Sequence, residues 1–309
     1  MKARFVLSLL LFGLTALVVS SCQKESSTKD HSTETSIHSE DQNRFSGEVD
    51  AAANDVVLTL DATAGFSGRG EEVQSLICDA SVVVDTLSNP RTITITYNRN
   101  NCLGKRTRTG VIVVSMAQGV RWKNAGAQIS VSFQNFNVTR VSDGKSITIN
   151  GTQTYTNVSG GLLIQLPVLS TITHTINSSN MSLTFDDGTQ RNWQVARQRV
   201  FSFNNGVVIT VTGTHTENGI SGIAEWGTNR FGNNFTTAIT QPLLFKQDCG
   251  FRLGRGKVEH KTAFFDASTS FGLDASGNPA GCPGTGPYYM KIVWTGPAGN
   301  TRSAIVPYW

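Results

Sequence analysis

The chain has 309 residues, of which 39% are hydrophobic and 16% are charged, and its formal net charge at pH 7 is +4. This length is sufficient for one large domain or two smaller ones. The composition argues against a nucleic-acid-binding protein, because the basic residues form neither a dense cluster nor a recognisable motif.

Residues 1–21 have the layout of a secretory signal peptide. Lys2 and Arg4 precede an apolar run over residues 5–19, and two serines follow it. The run is too short for a comfortable membrane span, and no other stretch approaches 18 apolar residues. The sequence Val-Ser-Ser-Cys at residues 19–22 resembles a bacterial lipobox, whose cysteine is acylated and becomes the new N-terminus. We therefore expect lipidation of Cys22 and attachment to the membrane through lipid; a cleaved signal peptide with a chance cysteine, or an uncleaved anchor, is the alternative.

The residues that follow Cys22 bear on location. Lys24 and Glu25 resemble the lysine-plus-acidic surface-export signal of Bacteroidota lipoproteins, although a charged tether would have the same composition. The sequence therefore predicts a lipid-anchored protein of the outer membrane, on its periplasmic face or at the cell surface.

The region 22–55 is predicted to be the lipidated cysteine followed by a disordered acidic tether. Residues 23–55 hold eight acidic and three basic side chains and almost no large apolar groups. Such a segment cannot bury enough surface to offset its ordering entropy, so His31 and His38 are expected to be solvated. From residue 56 onward the chain holds fourteen acidic and 21 basic side chains, so the charge changes sign at this boundary.

Residues 56–309 are predicted to form an all-β body. Apolar and polar residues alternate with a period of two, as in the segments 91–97 and 128–138, and short turn signals separate these runs. Regular short spacing favours an antiparallel meander, folded as a sandwich or a curled sheet. A weak repeat between residues 147–157 and 209–218 raises the possibility of two related units, at about 56–160 and 161–309.

Four cysteines remain once Cys22 is lipidated, and four allow three pairings. An even number in an exported protein favours disulfides. We expect Cys78 to pair with Cys102 and Cys249 with Cys282, because each bond closes a local loop. A zinc site is the rival interpretation, but no Cys-x-x-Cys pair is present, and no metal is assigned.

Two arginine pairs are the candidate binding residues. Arg106 and Arg108 are two residues apart, as are Arg197 and Arg199, so each pair projects from one face of a strand. Four guanidinium groups on one sheet face would suit a sulfated or phosphorylated glycan. The alternative is a charged, solvated outer face that blocks edge pairing.

The segments 82–116, 242–260 and 281–294 resemble a group of Bacteroidota lipoproteins of unknown function. In that group a strand leads to a Gly/Cys turn and a Gly-[Arg/Lys]-x-Arg-x-Gly segment, and two cysteines bracket a strand pair near the C-terminus. The resemblance implies export, all-β structure and paired cysteines, and it supplies no catalytic residues. Asp85-Thr86-Leu87 resembles a Bacteroidota O-glycosylation acceptor with Thr86 modified, or it forms a local turn.

No catalytic, cofactor-binding or phosphate-binding motif occurs in the sequence. The function predicted first is a lipid-anchored, non-catalytic binding or structural module, with a glycan or another envelope protein as its partner. The second is a carrier that shelters a lipid or other apolar ligand, which needs an unfilled apolar interior. The third is a glycan-active enzyme, which needs two carboxylates that converge in a cleft, and the neighbours Asp186 and Asp187 are better explained as a turn.

Overall fold

The computed structural model describes residues 30–68, 77–178, 180–284, 286–295 and 299–308. The chain divides into residues 1–30 and a second compact unit of residues 31–309, which contains the elements below. The predicted signal peptide and Cys22 lie outside the described residues. The helices are α1 (Ser32–Ala62), α2 (Ala64–Ser67) and α3 (Leu166–Leu169). The strands are β1 (Ala80–Asp85), β2 (Arg91–Asn100), β3 (Arg106–Met116), β4 (Ala127–Arg140), β5 (Ser146–Asn157), β6 (Thr171–Ser178), β7 (Ser182–Phe185), β8 (Gln190–Phe203), β9 (Val207–Gly213), β10 (His215–Glu217), β11 (Ile220–Thr228), β12 (Asn234–Lys246), β13 (Leu253–Thr262), β14 (Asp266–Leu273), β15 (Tyr288–Thr295) and β16 (Thr301–Tyr308).

All strands of the described residues belong to one antiparallel sheet, which confirms the predicted all-β class. The main path runs in chain order from β1 to β6, then through β8 and β11 to β16. The long strands β8 and β12 also pair with β9, so the short strands fill the gaps that this path leaves. Residue 160, the predicted division between two units, falls between β5 and β6, which pair directly with each other.

Period-two burial explains why these segments are strands. In β2 the side chains of Ile93, Ile95 and Tyr97 are buried, and the threonines between them are partly exposed. Branched and aromatic side chains pack well on a half-buried pleated surface. The same alternation recurs along β4 and β5, so that the sheet has one buried face and one face toward solvent.

The N-terminal region differs most from the prediction. Residues 32–62, most of which were expected to be a disordered tether, form the 31-residue helix α1, and among them only Thr33 and Leu58 are exposed. The prediction was wrong because it was based only on the apolar content of the segment itself. It did not take into account that side chains of the sheet cover the segment. His38, expected to be solvated, is almost fully buried.

The sheet curls around α1. Strands far apart in the sheet order reach the same helix: Arg108 on β3 binds Asp55, whereas Thr269 on β14 lies 3.5 Å from Ser39. The core around α1 includes Phe45 and Val49, together with buried side chains from β2 to β8 and Phe235 of β12. A second buried cluster joins α3 to strands β6, β8, β9 and β12–β16. No helix of the described residues is long and apolar enough to cross a membrane.

Both predicted disulfides are present, Cys78–Cys102 and Cys249–Cys282. In the first, Cys78 precedes β1 and Cys102 follows β2, so the bond links the two open ends of this strand pair. The second joins the turn before β13 to the segment between β14 and β15. Each bond therefore closes a local loop within one part of the sheet.

Gly151 and Gly213, at matched positions of the weak repeat, lie where another backbone approaches closely. A Cβ atom on Gly151, whose φ is +115°, would lie 2.5 Å from the carbonyl oxygen of Asn180. A Cβ atom on Gly213 would lie 2.0 Å from the carbonyl oxygen of Gly222. A side chain at either position would collide with that backbone, so both glycines allow two chain segments to approach closely.

Candidate functional site

The four predicted binding arginines do not form an outer binding face. Arg108, Arg197 and Arg199 are buried, and Arg106 is largely covered. All four point toward α1, on the inner face of the sheet. The prediction that these arginines form a glycan-binding face was therefore wrong, and so was its alternative of a solvated outer face, because strand periodicity shows which residues share a face but not whether that face lies inside the fold.

Arg197 lies at the centre of the most enclosed of these contacts. Its Nη1 donates to Asp50 Oδ2 of α1 at 3.1 Å, and its Nη2 donates to Ser46 Oγ at 2.6 Å and to the Glu225 carboxylate of β11. Glu225 also accepts a bond from Trp193 Nε1 at 2.8 Å. One guanidinium group thus joins β8 and β11 to the helix. Its charge is neutralised by Asp50 of the helix and Glu225 of β11.

Arg108 forms a second buried contact of the same kind. Its Nε and Nη2 donate to the two oxygens of Asp79 at 2.6 and 2.5 Å, a bidentate arrangement that suits the planar guanidinium. Its Nη1 donates to Asp55 Oδ2 of α1 at 2.8 Å, and the Tyr97 hydroxyl donates to the same carboxylate at 2.9 Å. Burial raises the pKa of Asp55, and the adjacent Arg108 opposes that rise.

Further charge pairs follow α1 toward its N-terminus. Arg106 binds Glu48, Arg140 binds Glu40, and Arg230 binds Asp41 through two nitrogen–oxygen contacts of 3.0 and 2.8 Å. The acidic side chains of α1 are therefore matched by basic side chains of the sheet and its turns within the fold. The acidic segment neutralises the basic inner face of the sheet.

Three histidines are buried in the interior. His38 of α1 lies against His260 of β13, with ring centroids 5.0 Å apart, and His174 packs on Trp122 at 5.0 Å. Burial lowers the pKa of His38 well below its usual range, and it lowers the pKa values of His174 and His260 to about 3. All three side chains are therefore neutral in the folded protein at neutral pH.

These histidines predict that stability falls on acidification. Each folded pKa lies below the ordinary value of 6.5, so the unfolded chain binds protons first. For His174 and His260 the free energy of unfolding is unaffected above pH 6.5 and falls between pH 6.5 and about 3, at roughly 1.4 kcal/mol per pH unit for each histidine; His38 acts in the same direction. Asp41, whose pKa burial raises to about 6, opposes this loss between pH 6 and 3.8. Urea unfolding from pH 7 to 4 should show falling stability.

The variant His260→Gln should flatten that pH dependence, since it removes one of the three buried imidazoles. His215→Gln is the matched control, because His215 lies one-third exposed on β10 beside Trp226. A pH profile that is identical in wild type and His260→Gln would contradict the assignment.

The other predicted positions lie at the surface or outside the description. Thr86 is exposed in the turn between β1 and β2, where Asp85 Oδ1 accepts a bond from the Leu87 backbone N–H at 2.8 Å. Its glycosylation remains a prediction. Asp186 and Asp187 lie in the β7–β8 turn, where both pair with Arg230. The described residues contain no group of three or more His, Cys, Asp or Glu side chains placed to hold a metal ion.

A cleft on the outer face of the sheet is the strongest candidate for a ligand site. It has a volume of about 630 Å³ and lies among β12, β13, β14 and residues 279–282. Its lining consists of Gln241, Leu244, Lys246, Cys249, Gly254, Arg255, Gly256, Ser270, Phe271, Gly272, Leu273, Pro279, Ala280, Gly281, Cys282 and Tyr288. Two cations and no carboxylate are among these residues.

The side chains of Lys246 and Arg255 set this cleft apart from the interior. Both are exposed, and neither forms an ion pair or side-chain hydrogen bond within the part of the chain that the structure describes. Arg255 is the one arginine of the described residues of which this is true. The sequence offered only a weak signal, the alternation of glycine and cations in residues 252–257, and no prediction was based on it.

Comparison with known proteins gives no relative from which a function could be transferred: no family model, curated protein or solved structure matches this chain.

Proposed function

We propose that the protein is a lipid-anchored component of the cell envelope, held at the outer membrane through Cys22, that acts as a non-catalytic binding or structural module. Its partner in this proposal is a glycan or another envelope protein. The anchor rests on the signal-peptide layout and the lipobox-like residues 19–22.

The occupied interior favours a binding or structural module over a carrier of apolar ligands. A carrier needs a cavity lined by apolar groups, whereas here α1 fills the space inside the curled sheet. The helix brings Glu48, Asp50 and Asp55 to the inner face, where they bind strand arginines. Such an interior favours a rigid scaffold, so ligands are expected on the outer face and the turns.

The arrangement of carboxylates favours a non-catalytic module over a glycan-active enzyme. A glycosidase uses two carboxyl groups that face each other across an open cleft. In the described residues, the buried acids Asp50, Asp79 and Glu225 bind arginines in the interior, and the outer cleft has no acidic lining residue.

Substitution of Cys22 tests the anchor. In Cys22→Ala, metabolic labelling with a palmitate analogue should be lost, because the acylated thiol is gone. Ser27→Ala, five residues along the same segment, should label as wild type does. Retained labelling of Cys22→Ala would refute the lipidation, and an unlabelled wild-type protein would do the same.

A further inference from the structure

We infer that the outer cleft at Lys246 and Arg255 binds an oxyanion-bearing sugar, that is, a sulfated or phosphorylated glycan unit. This inference rests on the proposed binding function. The anion-binding residues it names are the solvent-facing Lys246 and Arg255, not the four arginines predicted from the sequence.

The walls of the cleft are fixed in place. One wall is the outer face of β12–β14, and the other is the segment between β14 and β15. The Cys249–Cys282 disulfide joins the two walls, and both cysteines line the cleft. A volume of about 630 Å³ lies within the range of small-molecule sites, so a ligand the size of one or two sugar rings fits without rearrangement.

Unsatisfied positive charge sets the chemical class of the ligand. Arg255 and Lys246 project into a space without a carboxylate, whereas the buried arginines of this protein are neutralised by acids or backbone carbonyls. A guanidinium group matches the oxygens of sulfate and phosphate through two parallel hydrogen bonds, and an ammonium group adds a point charge. An anion therefore satisfies two groups that the fold leaves to solvent.

The rest of the lining suits a neutral, partly apolar ring. Leu244, Leu273 and Ala280 present apolar surface, and Gln241 and Ser270 offer donors and acceptors for hydroxyl groups. A free inorganic ion would use only the cationic part of the cleft. The combination favours a sugar that carries the anion over the anion alone.

The test uses the mature, lipidated protein in detergent and measures affinities by titration calorimetry. The probes are a sulfated disaccharide, the corresponding phosphorylated disaccharide, the unmodified disaccharide and inorganic phosphate. We expect one or both of the anionic sugars to bind at least tenfold more tightly than the neutral sugar and inorganic phosphate, and the two anionic probes distinguish sulfate from phosphate.

Arg255→Gln should weaken binding of the anionic sugar by about tenfold to a hundredfold, since charge-assisted hydrogen bonds contribute about 1.5–3 kcal/mol. Lys291→Gln is the matched control, because Lys291 is an exposed cation of β15 outside the cleft lining. Both variants should melt at the wild-type temperature, because both side chains are exposed.

Two results would overturn the inference: no binding of either anionic sugar, or equal binding by wild type and Arg255→Gln. The wider proposal fails separately. If neither anionic sugar binds the wild-type protein but the neutral sugar does, the binding module stands and the oxyanion site does not. Loss of lipid labelling in the wild-type protein concerns the anchor alone.

Discussion

A chain that begins at residue 56, the predicted start of the folded body, is expected not to fold, whereas a chain that begins at residue 31 is expected to fold cooperatively. The shorter chain lacks Phe45, Val49, Ala52 and Ala53 of the core around α1, and it keeps only the last part of the helix, residues 56–62. It also leaves Arg197 and Arg108 without their helix carboxylates. Each buried pair that loses a partner costs about 3–5 kcal/mol, and burial of each large apolar side chain is worth about 1.5–3 kcal/mol. Together these losses are as large as the roughly 5–15 kcal/mol that stabilises a typical domain.

Near-ultraviolet circular dichroism and thermal melting distinguish the two chains. The chain from residue 31 should show fixed aromatic signals and one cooperative transition, because Trp193 and Trp122 are fully buried. The chain from residue 56 should lack both. A third chain, in which only residues 23–30 are deleted, controls for the loss of the N-terminal segment. A cooperative melt of the chain from residue 56 would mean that α1 is dispensable.

The strands were predictable because their signal is local. Alternation in segment 91–97 states which side chains share a face, and the structure buries Ile93, Ile95 and Tyr97 together. The disulfides were predictable for a related reason, since both join cysteines that are close in the sequence. Local patterns persist in the fold when no distant partner competes with them.

The helix was missed although part of its pattern was visible. Phe45, Val49, Ala52, Val56 and Leu60 recur at three- and four-residue intervals and form one stripe of α1. Acidic residues occupy the other faces, and their burial becomes favourable only beside arginines that lie 53 to 189 residues further along the chain. The opposite net charges of the two regions are the sequence signal that the acidic helix contacts the basic strands. Charge alone does not show whether two such regions pair with each other or are solvated separately.

The arginine pairs show the limit of periodicity from the other side. The two-residue spacing correctly predicts that Arg197 and Arg199 share one face of β8. Because the inner face of most sheets is apolar, the arginines are expected on the outer face, and here they lie on the inner one. The cleft was not predicted at all, since Lys246 and Arg255 meet the segment around Cys282 only after β12, β13 and β14 have paired.

Arg197→Met should destabilise the protein by about 3–5 kcal/mol, because it leaves Glu225 buried without its countercharge and Asp50 with only Arg199, 4.0 Å away. For a chain of this size we expect a loss of about 6–20 °C in melting temperature. Arg99→Met is the matched control: Arg99 is exposed, and among the described residues its side chain hydrogen-bonds the neighbouring Asn98 and forms no ion pair, so its loss should change stability by less than about 0.5 kcal/mol.

The partner substitution separates a lost charge from a lost side chain. Glu225 accepts bonds from Arg197, Ser46 and Trp193, so Glu225→Gln alone leaves the guanidinium undercompensated. In the double variant Arg197→Met/Glu225→Gln neither group carries an unpaired charge, and part of the stability should return. We expect a coupling of about 0.5–3 kcal/mol between the two substitutions in urea unfolding. Strictly additive effects would mean that Arg197 acts through packing alone, and the ion pairs would then not explain how so polar a helix is held inside the sheet.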